Sequence, residues 1–208
     1  MQSGEKEALA RRAEASCLTG WPALRHVFYD GWLLRLAGGH TRRANSVNLL
    51  WPGTRDLKEK IQYCETVYAR QALPTIFRIF SFTNAVIEDA LDAERYRPAE
   101  DETRVIYMDD AALRAIDADV EVIVETSPSE EWLAAQARCN PQGAAAQAER
   151  RRILGMLAVP AGFAAARGAD GSLASLAFGA VHDGLVCVNL VVTDPRLPAP
   201  GTVAPRRV

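Results

Sequence analysis

The sequence has little of the features that mark several specialised classes of protein. It carries 24 Lys and Arg against 26 Asp and Glu, and a formal net charge of −2 supplies no basic surface for nucleic acid. No stretch approaches the roughly 18 apolar residues of a membrane span, and the first residues lack the apolar core of a signal peptide. We therefore expect a cytoplasmic protein that binds neither nucleic acid nor membrane.

Cysteine and histidine are also scarce. Only three histidines are present, and the four cysteines are far apart and never form a C-x-x-C motif. Because zinc sites use closely spaced Cys and His ligands, we expect no metal site. Scattered cysteines in a reducing compartment are usually buried free thiols, and this is our prediction for all four. They are Cys17, Cys64, Cys139 and Cys187.

What the chain does contain is an ordinary globular composition, with 49% hydrophobic and 24% charged residues. In the first half, Asp30-Gly31 between two apolar runs predicts a β-hairpin. Asp56 and Asn84 are predicted to cap two helices. The pattern predicts helices at 5–17, 56–71 and 84–93, and further strands at 43–50, 75–80 and 102–108.

The second half repeats strands and helices in a different order. A polar, Ala-rich connector at 109–119 is the predicted domain boundary. A strand at 120–125 is followed by two helices, the first opening at Ser129 and the second spanning 144–157. Three strands with Gly-containing turns then form a predicted antiparallel meander at 162–167, 172–181 and 185–193. Together the two halves indicate an α+β fold with mixed sheets.

Two segments resemble a known family. The run Cys187-Val-Asn-Leu-Val-Val-Thr-Asp-Pro-Arg196 resembles the strand before the acyl-CoA pyrophosphate loop of the GNAT N-acetyltransferases. The pattern Gly31-Trp-Leu-Leu-Arg35 with Arg42-to-Asn48 is similar to bacterial members that carry two such domains in tandem. The resemblance implies a GNAT-like amino-terminal domain at 1–118, an incomplete second GNAT domain at 119–196 and a disordered tail at 197–208.

The resemblance also implies an activity. GNAT enzymes transfer an acetyl group from acetyl-CoA to a primary amine, so acetyl-CoA is the expected cosubstrate and a small-molecule or peptide amine the expected acceptor. The positions that correspond to the pantetheine-binding strand are Val191, Val192 and Thr193. The family's Gly-rich pyrophosphate loop is missing, since Leu197-Pro198 follows Arg196. We therefore expect a truncated enzyme with weak acetyl-CoA binding and impaired or lost activity.

No catalytic residue can be named from the sequence, but one polar strand is a candidate substrate groove. Arg43, Asn45 and Ser46 follow a Gly-Gly turn, and the alternative is that Asn45 satisfies the turn itself. The run Arg150–Arg152 is expected to be a solvated helix surface. Tryptophans in the first fifty-one residues are expected to pack in the core or in the seam between domains.

Two other interpretations remain open from the sequence. The chain is either a catalytic acyltransferase, a non-catalytic GNAT-like binding module, or a truncated or frameshifted remnant. In each case a sheet that stops after its fourth strand exposes apolar residues and an open edge. We therefore expect self-association through the incomplete sheet.

Overall fold

The computed structural model describes residues 3–114 and 121–196. Within these ranges it confirms a mixed α+β protein, with six α-helices and two four-stranded sheets. None of the described helices is long and apolar enough to span a membrane. The predicted boundary between 118 and 119 and the predicted disordered tail at 197–208 lie outside the described residues.

The bounds of the elements follow the chain order. The helices are α1 (Ser3–Gly20), α2 (Leu57–Ala69), α3 (Ala85–Ala93), α4 (Asp110–Arg114), α5 (Glu130–Cys139) and α6 (Ala144–Gly155). The strands are β1 (Arg25–Tyr29), β2 (Trp32–Leu36), β3 (Val47–Asn48), β4 (Phe77–Arg78), β5 (Val122–Glu125), β6 (Ala161–Arg167), β7 (Leu173–His182) and β8 (Leu185–Thr193).

The first sheet has the order β1-β2-β3-β4, and we call it sheet A. Its β1–β2 hairpin turns at Asp30 and Gly31, with φ angles of 43° and 84°, as the sequence predicts. The strand β3 pairs antiparallel with β2 and parallel with β4. Because β3 and β4 have only two residues each, sheet A is regular only at its hairpin.

Two capped helices cover one face of sheet A. The Asp56 carboxylate accepts from the N–H groups of Lys58 and Glu59, and the Asn84 side chain accepts from Val86 N–H, which confirms both predicted caps. The buried side chains of α2 and α3 pack on the apolar face of the sheet in one cluster. Its members include Trp32, Leu34, Val47, Ile61, Cys64, Tyr68, Ile87 and Leu91.

The second sheet is a fully antiparallel meander of order β5-β6-β7-β8, and we call it sheet B. Ser129 caps α5 by accepting from Trp132 N–H. One face of sheet B is buried under α5 and α6, where Trp132 contacts Phe163 edge-on and Phe163 stacks on Phe178. This confirms the predicted order of strand, two helices and three strands.

The helix α1 connects the two sheets. Gly20, at its end, lies against Ala180 of β7 and Cys187 of β8. Trp21 follows it, is 1% exposed and packs 6.1 Å from Phe178, ring centroid to ring centroid. On the other side, the Arg35 guanidinium of β2 donates to the carbonyls of Leu18 and Trp21. The amino-terminal helix therefore belongs to the packing of both sheets.

The second face of sheet B is not covered by any described helix. Its centre is lined by small residues, and Val124 and Val186 lie over Gly162 and Gly179. Valines at the periphery of the sheet remain exposed, with values from 43% to 70% of their surface. They are Val122, Val124, Val181, Val186, Val188 and Val191. Apolar surface of this kind favours association in water.

Three of the predicted strands differ from the structure. The segment 102–108 forms no strand and Ile106 is 88% exposed, because alternation alone forms no strand where no neighbouring strand pairs with it. The predicted strand at 43–50 shrinks to β3, since a 3-10 turn occupies Arg42–Ala44. The predicted strand at 75–80 shrinks to β4.

Candidate functional site

The three predicted cofactor-binding residues lie on β8, the last strand of sheet B. The register passes from Phe178↔Asn189 to Leu176↔Val192, so β8 carries a bulge at 190–191, and Leu190 has a φ of 50°. Val191 is 70% exposed, and Val192 packs partly against the core. Thr193 is exposed, with its Oγ1 3.2 Å from the Ser175 hydroxyl of β7.

No described strand pairs with the outer edge of β8. An edge strand presents backbone N–H and C=O groups that its sheet does not use, and a bulge leaves further groups unpaired. The structure thus brings together, at Val191–Thr193, an open backbone edge and a local irregularity. Such an edge can pair with an extended ligand or peptide.

A group of polar side chains occupies the seam where α1 meets β8. We call it the junction cluster, and Arg43 is central to it. The Arg43 Nη1 donates to Asn189 Oδ1 at 2.8 Å, and its guanidinium lies 4.9 Å from the centroid of the Trp21 ring. The cluster consists of Glu14, Cys17, Arg43, Arg78, Cys187 and Asn189.

A carboxylate is buried on the sheet A side of the cluster. Glu14 is 9% exposed and accepts from Arg78 Nη2 at 3.1 Å. Burial raises the Glu14 pKa above its usual range, although the nearby Arg78 and Arg43 guanidinium groups oppose that shift. Arg78 is also stacked on Phe80, at 4.8 Å from the ring centroid. The cluster therefore holds a carboxyl group whose charge depends on two arginines.

Two thiols meet on the sheet B side of the cluster. The Sγ atoms of Cys17 and Cys187 are 3.5 Å apart, and Asn189 Nδ2 donates to Cys187 Sγ at 3.5 Å. The Cys17 hydrogen bond, the Asn189 amide and the Arg43 guanidinium lower the Cys187 pKa to about 6 against the effect of burial. The same hydrogen bond and burial raise the Cys17 pKa. One of the two sulfurs is therefore set up as a thiolate.

The three residues of the predicted substrate groove, Arg43, Asn45 and Ser46, have different surroundings in the structure. Asn45 is 4% exposed, and its Oδ1 accepts from the N–H groups of Ala37 and Gly39, so it satisfies the turn. Ser46 is 1% exposed, and its buried hydroxyl has no hydrogen-bond partner. Arg43 alone belongs to a polar cluster. The structure does not bring these three side chains together in a groove.

The turn that Asn45 holds forms one wall of a cavity between sheet A and α6. The cavity has a volume of about 380 Å³, within the range of small-molecule sites. Glu149 of α6 lies beside Gly38, where an added Cβ would be 2.8 Å from its Oε1. That oxygen is buried without a hydrogen-bond partner. The other lining residues are Leu24, Arg25, Leu36, Ala37, Ala145, Ala148 and Arg152.

Glu149 is the acidic group of this cavity. Burial raises its pKa, and the Arg152 guanidinium and the His40 backbone N–H oppose the shift. A carboxyl group with a raised pKa in a cavity is a candidate proton acceptor. In the part of the chain that the structure describes, no group of three or more His, Cys, Asp or Glu residues is arranged to hold a metal ion.

Comparison with known families decides which protein class this architecture represents. The family model described as "Probable histone acetyltransferase Rv0428c C-terminal" matches residues 8–194. The chain belongs to this family. The match includes both sheets and all of α1 except its first five residues, and the family's name is that of a probable acetyltransferase.

Two further comparisons give no function. No curated protein sequence matches the chain. One solved structure, of a functionally unknown conserved protein from Staphylococcus epidermidis ATCC 12228, matches 81% of this chain and 71% of its own chain. Its sequence identity is 9% and its TM-score is 0.47.

Several residues of the site were missed by reasoning from the sequence. Cys17 and Cys187 are far apart in the chain, and no local motif indicates that they meet. Glu14 and Glu149 lie in helices rich in charge, where a buried carboxylate resembles its exposed neighbours. The expectation that Arg150–Arg152 is a solvated helix surface is wrong for Arg150, which is 3% exposed and donates to Gln136. Only Arg151 and Arg152 of that run are exposed.

Proposed function

We propose that this protein transfers an acyl group from an acyl thioester, with acetyl-CoA as the donor, to an amine. The family match over residues 8–194 is the observation that carries the proposal. The GNAT-type arrangement is part of the same proposal. It is supported by an antiparallel sheet whose first strand, β5, precedes two helices and whose other three strands follow them and end in the open, bulged β8.

In this proposal β8 receives the donor. The extended pantetheine arm pairs with the outer edge at Val191–Thr193, as an added strand would. A backbone N–H near the bulge then donates to the thioester carbonyl oxygen as negative charge develops there. Exposure of Val191 and Thr193 supports access to this edge.

The acceptor amine enters the cavity beside α6. A neutral amine attacks the thioester carbonyl, the carbon–sulfur bond breaks, and the CoA thiolate leaves. The Glu149 carboxylate, whose pKa burial raises, receives the proton that the amine loses. The unpaired Glu149 Oε1 supports this role, because a buried acceptor without a partner is suited to binding an N–H donor.

Donor binding is expected to be weak. Residues after Arg196 contain a single glycine, Gly201, and no Gly-x-Gly motif that would present consecutive N–H groups to a pyrophosphate. Each charge-assisted hydrogen bond of that kind contributes roughly 1.5–3 kcal/mol. We therefore expect a dissociation constant for acetyl-CoA well above the micromolar range by calorimetry.

The test combines turnover with a local measure of binding. The protein is incubated with acetyl-CoA and a panel of amines that includes lysine peptides, polyamines and aminoglycosides, and mass spectrometry detects the acetylated product. Hydrogen exchange reports whether acetyl-CoA protects the amides of Val191–Thr193. Glu149→Gln should reduce turnover by about 10²-fold or more, whereas the control Glu88→Gln on α3 should not.

The outcomes separate the proposal from its alternatives. Product formation with Glu149 dependence and protection of β8 supports it. Protection of β8 without product for any amine favours the non-catalytic binding module. Neither protection nor product at millimolar acetyl-CoA contradicts the assignment of β8 as the donor strand.

A further inference from the structure

We propose that Cys17 and Cys187 are an oxidant-sensitive pair that closes a reversible disulfide between α1 and β8. This inference is independent of acyl transfer and concerns a modification site. It starts from the contact between the two sulfurs, which are 3.5 Å apart although their residues belong to opposite ends of the chain. Both are free thiols in the structure.

The local packing brings the two elements close enough for a covalent bond. A disulfide requires an S–S distance of about 2.05 Å, so the sulfurs must approach by roughly 1.5 Å. Gly20 of α1 permits the close approach, since a Cβ there would lie 3.2 Å from Ala180 Cβ and 3.3 Å from Cys187 Cβ.

A hydrogen-bond chain selects Cys187 as the attacking sulfur. Arg43 Nη1 donates to Asn189 Oδ1 at 2.8 Å, which directs Asn189 Nδ2 toward Cys187 Sγ. This orientation, the positive guanidinium and the hydrogen bond with the Cys17 sulfur all favour a thiolate at Cys187. Glu14 opposes it by charge, and Arg78 neutralises part of that effect through its ion pair with Glu14.

The two other cysteines lack these features. Cys64 of α2 is completely buried in the cluster against sheet A, and burial raises its pKa to about 12. Cys139 is partly exposed, like Cys17 and Cys187, but burial and the Asp194 carboxylate raise its pKa. Cys139 is therefore a matched control for exposure, and Cys64 is a control for burial.

The chemistry balances with a peroxide as the oxidant. The Cys187 thiolate attacks one oxygen of hydrogen peroxide, the O–O bond breaks, and Cys187 becomes a sulfenic acid as hydroxide leaves. The Cys17 sulfur then attacks the Cys187 sulfur, and the sulfenic oxygen leaves as water after taking the Cys17 proton. The two thiols lose two electrons, and the peroxide is reduced to two waters. A dithiol such as dithiothreitol reverses the bond by thiol exchange.

The bond would fasten α1 to β8, where only non-covalent contacts hold them in the reduced protein. It would close a loop of most of the chain, and long loops give the largest restriction of the unfolded state. We therefore expect the oxidised protein to melt higher than the reduced protein, by on the order of 5–10 °C. Reduction should return the melting temperature to its original value.

The experiment treats the full-length protein with hydrogen peroxide and maps its peptides without reduction. The expected result is a monomer lighter by about 2 Da, the mass of two hydrogens lost, with the peptides of Cys17 and Cys187 cross-linked. Dithiothreitol should separate them. Cys17→Ser should stop the reaction at an oxidised or trapped Cys187, and Cys139→Ser should leave the cross-link unchanged.

Each remaining outcome overturns the proposal. These are a cross-link that includes Cys64 or Cys139, a disulfide between two molecules, oxidised Cys187 in the wild-type protein with a free Cys17, or no oxidation of either cysteine. Mapping of the wild-type protein decides among them without any variant, so a misfolded Cys17→Ser protein would not obscure the result. Circular dichroism of each variant establishes whether it is folded.

Discussion

The two sheets of this protein are built on different principles. Sheet A has two strands of only two residues, and polar side chains complete its backbone bonding. Tyr68 Oη donates to the Arg35 carbonyl, and Asn48 Nδ2 donates to the Leu33 and Ser46 carbonyls. Sheet B has three strands of 7 to 10 residues that pair over most of their length, and a core of stacked aromatic rings.

The comparison shows why the junction cluster lies between the sheets and not within either of them. Sheet B supplies a bulged outer edge and one open face, whereas sheet A supplies buried polar groups such as Arg35 and Asn45. The helix α1 joins these two environments, and the junction cluster occupies the seam that it creates.

The largest effect is expected from removing the Trp21 side chain, which follows α1 and packs in the core of sheet B. Trp21→Ala should lower the free energy of unfolding by about 3–5 kcal/mol, because a buried Trp leaves a large cavity. Trp51, which is 57% exposed, is the matched control, and Trp51→Ala should cost less than about 1 kcal/mol. Urea unfolding followed by circular dichroism measures both. Equal losses would show that α1 does not tie the sheets together.

The next test removes the Arg35 guanidinium, which connects β2 of sheet A to the end of α1. Arg35 is 2% exposed and donates to the carbonyls of Leu18, Trp21 and Arg43. Arg35→Met keeps most of the side-chain volume but leaves buried acceptors unpaired, so we expect a loss of about 3 kcal/mol.

The control for Arg35 lies on the neighbouring strand. Arg25 is exposed and donates to Gln71 at 2.8 Å, so Arg25→Met should change the free energy of unfolding by less than about 0.5 kcal/mol. Chemical denaturation compares the two variants. A similar small effect for both would mean that the Arg35 contacts contribute little to joining α1 and sheet A.

A smaller effect is expected from the open face of sheet B. Self-association through this face, predicted from the sequence, should weaken when a charge is placed there. Val188→Asp and Val86→Asp change side chains that are each 59% exposed, the first on sheet B and the second on α3. Light scattering and the fluorescence of a hydrophobic dye should fall for Val188→Asp only. A fall of both signals in both variants would mean that the added charge acts generally and not through the open face of sheet B.

The sequence predicted the parts of the fold that depend on local chemistry. Asp56, Asn84 and Ser129 cap helices where expected, and Asp30-Gly31 forms the hairpin turn. The caps succeed because each capping side chain satisfies backbone N–H groups within three residues. The hairpin turn succeeds because Asp30 and Gly31 adopt the positive φ angles that it requires.

The failures all depend on contacts between distant segments. Whether 102–108 pairs with a neighbour, whether Arg150 is buried and whether Cys17 meets Cys187 are decided by how α1 and the sheets pack. The local pattern is the same for a paired and an unpaired strand, or for a buried and an exposed arginine. The junction cluster joins Glu14 to Asn189 across most of the chain, and no short motif contains this information.

The smallest effect is expected in the pH dependence of the free energy of unfolding, to which Cys187 of the junction cluster contributes. The Cys187 pKa is about 6 in the folded protein, below the ordinary thiol value of roughly 8.5 in the unfolded chain. Between these values the unfolded state binds more protons, so stability rises with pH. The contribution of Cys187 is complete above the unfolded pKa and is lost as the pH falls through about 6.

Cys187→Ser removes this titration, so its urea midpoint should vary less than that of the wild-type protein between pH 6 and pH 8.5. Burial lowers the His40 pKa, and His40 adds a slope of the same sign, but it is present in both proteins and cancels in the difference. Cys139→Ser should retain the wild-type slope, because the Cys139 pKa is raised and not lowered. Alkylation supplies an independent check, since iodoacetamide should react with Cys187 near pH 6.5 before it reacts with Cys139. Parallel slopes in all three proteins would mean that Arg43, Asn189 and Cys17 do not hold a thiolate at the seam.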